Sequence, residues 1–161
     1  LVNLSTKYAM ETALKIYKSL DEPNIITHTT IIKGFAKLVT EDAMDTALKI
    51  YENVERPNII THNTIINGFV NLVTEDAMNK ALGIYNSLER PDIITHNTII
   101  KGFANLATKD AMNKALEIFE SIERPDNTSY SIIARGLRQE GSNERQQQLK
   151  QIQMKRQLNT K

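Results

Sequence analysis

The chain contains no cysteine and no tryptophan, and only 6 glycines and 4 prolines among its 161 residues. Without cysteine there are no disulfides and no thiolate metal sites, although that absence does not fix the compartment. No apolar run approaches the ~18 residues that a membrane-spanning helix needs, so a membrane role is not expected. No signal or transit peptide is visible at Leu1. A phosphate-cradling glycine loop, a nucleophile beside a base, and a metal-ligand spacing are all missing. Catalysis, a metal and a cofactor are therefore not expected of this chain, and an effector domain such as a nuclease would have to lie outside it. The formal net charge of +1 also leaves no overall field that would recruit a polyanion.

What is present recurs. Pro23, Pro57, Pro91 and Pro125 follow one another at intervals of 34 residues, and Gly34, Gly68, Gly102 and Gly136 keep the same interval. Thr6, Thr40, Thr74 and Thr108 do so too, as do the Ala-Leu pairs beginning at Ala13, Ala47, Ala81 and Ala115. The stretches Asn58–Pro91 and Asp92–Pro125 are identical at most positions, which fixes the register. A constant period of this size signals stacked units that bury their apolar faces only against one another. The division that follows is a partial unit at 1–24, full units at 25–58, 59–92 and 93–126, and a divergent unit at 127–161.

Within a unit two helical patterns alternate. Ile65, Ile66, Phe69 and Leu72 form the stripe of a first amphipathic helix, and Ala77, Met78, Ala81, Leu82, Tyr85 and Leu88 form a broader second one. Thr74 is placed to cap the second helix, with Glu75 and Asp76 at the positive end of its dipole. Pro91 is expected to end that helix. Gly68, mid-helix at a cost of ~1 kcal/mol relative to Ala, marks a point where two helices pack too closely for a Cβ. The fold class is all-α, an α-solenoid of stacked helical hairpins.

The terminal segments fit a stack with unlike ends. Residues 1–24 read as the end of a first helix followed by a second helix, Ala9 to Leu20. Met10, Leu14 and Tyr17 then lack a preceding hairpin, so further repeats or a protein partner are expected before Leu1. In the last unit Arg145, Gln146, Lys150, Gln153 and Arg156 take the place of apolar residues, and only Leu149 and Ile152 keep the stripe. A polar outer face of this kind ends a stack and keeps it in solution.

Charge is sorted by helix. The first-helix segments His28–Leu38, His62–Leu72, His96–Leu106 and Tyr130–Arg138 contain Lys33, Lys37, Lys101, Arg135 and Arg138 but none of the 19 acidic residues. Stacking equivalent helices turns this sorting into one basic-to-neutral surface, the electrostatic footprint of a polyanion partner. The 3 histidines, His28, His62 and His96, sit one per unit. Layers about 10 Å apart cannot bring them to one ion, so they are expected to pack or hydrogen-bond within their units.

The string T-H-N-T-I-I-N-G-F, followed by D-A-M-N-K-A-L-x-I-Y and R-P-D, resembles the pentatricopeptide repeat family over about residues 7–138. His28, His62 and His96 stand where that family usually has Tyr, which Tyr130 retains, and the loop before each proline lacks the usual Gly. The resemblance implies sequence-specific binding of single-stranded RNA, one base per repeat, in the RNA metabolism of mitochondria or chloroplasts. It implies base-reading pairs Thr29 with Asn58, Asn63 with Asp92 and Asn97 with Asp126, and a fourth reader at Ser131. A Thr/Asn pair then favours adenine and Asn/Asp pairs favour uracil, giving a core 5′-A-U-U-3′.

The residues themselves suit that chemistry. Asn and Asp complement the carbonyls and the N–H of uracil. Ile26, Ile60 and Ile94, with Thr128 a weaker fourth, are placed to sandwich unstacked bases. Lys33, Lys37, Lys101 and Arg135 are candidate phosphate contacts. Two rival readings remain: a tetratricopeptide-like protein scaffold, whose Trp-x-x-Leu-Gly signature is missing, and a structural subunit of an organellar ribonucleoprotein such as a mitoribosome.

Overall fold

The structure is a computed structural model that describes residues 4–159, with side chains from Thr6 to Gln157. Residues 1–3 and 160–161, the outer ends of the first and last units, lie outside the described residues. Every regular element among the described residues is an α-helix: α1 (Leu4–Lys18), α2 (Ile25–Ala36), α3 (Glu41–Glu52), α4 (Ile59–Val70), α5 (Glu75–Asn86), α6 (Ile93–Leu106), α7 (Lys109–Ser121), α8 (Asn127–Glu140) and α9 (Asn143–Asn159).

The first helices α2, α4, α6 and α8 pack side by side in one continuous row. Each second helix lies on the first helix of its own hairpin and, up to α7, on that of the next. Second helices are too far apart to pack on one another, and meet through long side chains. Lys80 of α5 does so, with its Nζ 3.3 Å from Asp45 of α3. Rows of unequal spacing close the stack toward the first-helix side. The core runs unbroken along the seam between the rows, through Ile32, Met44, Ile65, Ile66, Phe69, Met78, Ile99, Ile100, Phe103 and Met112. Each such side chain contributes about 1.5–3 kcal/mol by leaving water.

The expected close approach is real. A Cβ built on Gly68 would lie 2.9 Å from the Cβ of Ala36 in α2 and 2.7 Å from Met44 Cε in α3. On Gly102 it would lie 2.9 Å from Val70 Cγ2 and 2.5 Å from Met78 Sδ. Gly34 faces Met10 and Gly136 faces Met112 in the same way. The missing side chain lets neighbouring first helices touch while one methionine plugs the gap between them.

Several boundaries differ from the sequence reading. The first helices begin at Ile25, Ile59, Ile93 and Asn127, three residues before the histidines or tyrosine that seemed to open them. Each starts where an Asn or Asp caps the orphan N–H groups. The second helices do start at their threonine caps, with Thr40, Thr74 and Thr108 accepting from Ala43, Ala77 and Ala111. They do not run to the prolines. α5 ends at Asn86, where the Ser87 N–H tightens onto Ile84 O at 3.1 Å, and Pro91 stands beyond in the connecting turn. At the N-terminal end one helix runs unbroken through Thr6 to Lys18, instead of a helix end followed by a second helix from Ala9. No hairpin turn is formed there that would force a cap at Thr6. The acid-free reading of the first helices also needs one amendment, because α8 extends to Glu140.

Arg145 corrects the picture of a simply polar final helix. Its side chain is fully buried among α7, α8 and α9. Its guanidinium donates to Asn113 Oδ1 at 2.7 Å, Gln148 Oε1 at 2.7 Å and the Lys109 carbonyl at 3.1 Å, and its Nε lies 3.5 Å from Glu140. The planar fork thus finds acceptors for both terminal nitrogens where the earlier units place an alanine, while its buried Nε makes no hydrogen bond.

The turns between first and second helices carry left-handed residues at the repeat interval, Val39 (φ 51°), Val73 (φ 54°), Ala107 (φ 54°) and Gly141 (φ 75°). Only the last is a residue that adopts this conformation without a Cβ clash, which otherwise costs about 1–2 kcal/mol.

Two predictions follow from the backbone. Gly102→Ala is expected to lose roughly 1 kcal/mol net, overpacking outweighing helix propensity, whereas Gly83→Ala, with nothing within 4 Å, gains up to about 1 kcal/mol. Thermal melts resolve the pair at about 2–4 °C per kcal/mol, and equal signs for the two variants would refute the close-approach argument. Val73→Gly is expected to raise the melting temperature by relieving strain that exceeds the ~1 kcal/mol entropic penalty of glycine. A lower melting temperature would show that the turn holds valine without strain.

Candidate nucleic-acid interface

Each first helix begins with an Asn or Asp whose side chain turns back onto the third residue of the helix. Asn24, Asn58, Asp92 and Asp126 accept from the N–H groups of Thr27, Thr61, Thr95 and Ser129 at 2.9, 2.9, 2.7 and 2.7 Å. Ser, Thr, Asn and Asp are the side chains that satisfy these orphan donors, worth about 1 kcal/mol per cap. Three of the four, Asn58, Asp92 and Asp126, are the unit-end base readers that the resemblance implies. Sequence reasoning missed their structural duty, although the Asx-x-x-Thr/Ser spacing at the repeat interval was the available signal.

The caps also meet the other member of each implied pair. Asn63 Nδ2 donates to the Asp92 carboxylate at 3.3 Å, and Asn97 Nδ2 to Asp126 Oδ1 at 3.2 Å. Thr29 reaches Asn58 through Thr61: Thr29 Oγ1 lies 2.8 Å from Thr61 Oγ1, which donates to Asn58 Oδ1 at 3.0 Å. Residues 29 positions apart thus come together at the start of neighbouring first helices. Burial opposes ionisation of Asp92 and Asp126, but bonds from Thr95 or Ser129 and from the asparagine amides outweigh it and hold both carboxyls below the usual range. Both are anionic at neutral pH and offer acceptors only.

An open groove of about 910 Å3 runs across α2, α4 and α6. It is lined by Ile26, Ile60 and Ile94, by Thr29, Asn58 and Asn63, and by Lys33 and Lys37, with no carboxylate among its lining residues. The three isoleucines sit in the first turn of their helices and are 73%, 63% and 61% exposed, unusual for so apolar a side chain. Helix periodicity puts them on the face opposite Ile32, Ile66 and Ile100 of the core. Val39 closes one end of the groove and is also exposed.

The other sequence candidates lie outside this groove. Asp92 borders it through Asn63. Asn97 is only 9% exposed, and Lys101 is half-buried on α6. Ser131 is exposed on α8 and donates to the Asn127 carbonyl at 2.7 Å. Arg135 is exposed and leans across to Asn105 Oδ1 at 3.4 Å, bridging α8 and α6. Thr128 is exposed beside Asp126.

The histidines join units instead of packing within them. Tyr17, Tyr51 and Tyr85 of the second helices hold their hydroxyls 2.8 Å from Nδ1 of His28, His62 and His96 in the next first helix. The rings meet edge to face at 5.6–5.7 Å. At the last junction Phe119 and Tyr130 take the same edge-to-face arrangement at 5.2 Å, with the hydroxyl now carried by the first helix. Among the described residues no group of His, Asp and Glu is arranged to hold a metal ion.

With this geometry in place, one comparison is informative. Residues 10–72, from α1 to the turn after α4, match the family model described as pentatricopeptide repeat domain. No curated protein matches the chain.

The Tyr–His contacts make stability depend on pH. Burial lowers the pKa of His62, against a backbone bond at Pro57, and lowers that of His96, against the charge of Asp92. As pH falls below about 6.5 the unfolded chain takes up these protons before the folded one does, so stability is full above that value and declines below it. The melting temperature is expected to drop between pH 7.5 and 5.5. Tyr85→Phe with His96→Tyr, which copies the Phe119–Tyr130 junction, should reduce that drop. A melting temperature independent of pH over this range would contradict the assignment.

Proposed function

We propose that this chain, whose residues 10–72 match the pentatricopeptide repeat domain model, is an RNA-binding repeat protein that binds single-stranded RNA in its first-helix groove, one base per unit, around a core 5′-A-U-U-3′. The observation that carries the reading is the content of the groove. Exposed isoleucines, hydroxyl and amide side chains, and two lysines line it without a single acid. That is the set single-stranded RNA requires: apolar surfaces for bases, edge readers between them, and cations for phosphates.

In this reading the first two nucleotides insert between successive isoleucines and the third between Ile94 and Thr128. Neighbouring helices stand about 10 Å apart, roughly three times the stacking distance, so the bases enter unstacked. Adenine meets Thr29 and Asn58. One uracil meets Asn63 and Asp92, and the next meets Asn97 and Asp126, with Ser131 a further reader. A uracil carbonyl accepts from the asparagine amide and its N3–H donates to the aspartate. Lys33, Lys37, Lys101 and Arg135 neutralise phosphates. A role in the RNA metabolism of an organelle, where RNA processing, stability, editing or translation would be the outcome of binding, follows from the resemblance alone.

Fluorescence anisotropy with AUU-bearing and scrambled oligoribonucleotides over a salt series tests the proposal. Affinity should favour the AUU strand and weaken with salt, and Lys33→Ala with Lys37→Ala should lower the logarithmic salt slope by roughly 1–2. Asn63→Thr with Asp92→Asn recreates the Thr29/Asn58 pair already present one unit earlier, cap included. It should move the preference at that step from uracil to adenine with the fold intact. Binding that ignores base sequence would favour a structural ribonucleoprotein role, and no binding at low salt would favour a protein scaffold.

A further inference from the structure

The two uracil-type units have identical reading pairs, yet their surroundings differ. Thr95 is fully buried, and its hydroxyl lies 2.6 Å from Asn63 Oδ1 and 2.7 Å from Asp92 Oδ1. The Asp92 carboxylate, an obligate acceptor, draws the Asn63 amide nitrogen toward itself. The amide oxygen therefore faces inward, where the Thr95 hydroxyl meets it. The single hydroxyl proton serves one of these two oxygens at a time, so Thr95 links Asn63 to Asp92 as a shared donor, and one N–H of Asn63 remains for the groove that this residue lines.

One unit on, Ser129 stands at the equivalent position and is likewise fully buried. Its hydroxyl is engaged in a capping box, accepting from the Asp126 N–H at 3.2 Å and donating to Asp126 Oδ1 at 2.9 Å. It does not reach Asn97. Asn97 Oδ1 is consequently buried without any hydrogen-bond partner, and Asn97 is absent from the groove lining. In the first full unit the bridge exists again, with Thr61 between Thr29 and Asn58.

We propose that the buried hydroxyl at positions 61, 95 and 129, supplied by the following unit, is a third member of each reading set and determines how sharply its pair discriminates bases. It is a positioning residue, since it touches the readers and not the base. Where it bridges, as Thr61 and Thr95 do, the amide or hydroxyl reader is fixed before a base arrives. Fixing a reader beforehand removes the ordering cost of binding and raises the penalty for a mismatched edge. Where it does not bridge, at Ser129, the orphaned Asn97 oxygen makes its seat costly and leaves the reader loosely held. Two pairs equal in sequence are thus unequal readers.

The inference rests on the RNA-binding reading, and its test separates the two. In the intact chain, replacing uracil by cytosine opposite Asn63/Asp92 should weaken binding by about tenfold, and the same change opposite Asn97/Asp126 by only about twofold, the difference being near one hydrogen bond. Thr95→Val should bring the first penalty down to about the second, leaving the salt slope and the adenine step unchanged. Ser129→Thr should raise the penalty opposite Asn97 several-fold, a gain that no loss of folding can imitate. Circular dichroism melts identify variants that fail to fold. Equal penalties at the two uracil steps, or penalties unmoved in both variants, would overturn the inference while leaving RNA binding intact. Failure of every oligoribonucleotide to bind would overturn the RNA reading and this inference with it.

Discussion

The architecture depends on the notch at Gly34, Gly68, Gly102 and Gly136. Removing one Cβ per unit lets first helices lie side by side with an alanine or valine of the previous helix close against the backbone. A methionine from the intervening second helix then fills what remains, its unbranched thioether suited to an irregular gap. That contact sets the distance between first helices, and everything on their far side inherits it. The isoleucine spacing, the reach from Asn63 to Asp92 and the width of the groove all follow from how closely those backbones approach.

On the proposed RNA-binding reading, the same helix starts serve stability and recognition at once. Asn58, Asp92 and Asp126 cap helices by accepting backbone N–H groups, and Asp92 and Asp126 also accept from the asparagine near the start of their own unit. A reader that is also a cap can be exchanged only within the set of capping side chains. Asn and Asp are both in it, which permits a change of base preference without loss of the helix. The buried threonine behind the pair adds a second restriction, since a hydroxyl there must satisfy neighbours on two units. Under that proposal, recognition along the groove would be a property of unit boundaries, with each base edge meeting atoms from two successive hairpins.

The two ends of the stack solve different problems. Among the described residues, α1 has Ile16 at 60% exposure, where the equivalent Ile50 inside the stack is 7% exposed. At the other end Arg145 replaces the small residue of earlier units and anchors α9 through hydrogen bonds, beside the apolar contacts of Leu149 and Ile152. A buried guanidinium tolerates little displacement, because moving it strips several donors at once. The final helix is therefore fixed in place while presenting Gln and Lys outward.

Periodicity alone established the hairpin unit, its register, the glycine close approach and the threonine caps, because each is a local or nearest-neighbour property repeated until it is unmistakable. Composition likewise established that the first helices carry lysine and almost no acid. Tertiary structure decided the rest. The helix starts moved to the Asn and Asp caps, the histidines turned out to join units, and Arg145 went inside, since in each case the partner comes from another hairpin. Most of all, it separated Asn63 from Asn97, two residues with the same neighbours in sequence. A single hydroxyl on the next helix, which reaches Asn63 from Thr95 but does not reach Asn97 from Ser129, makes them different, and no spacing along one chain segment records that reach.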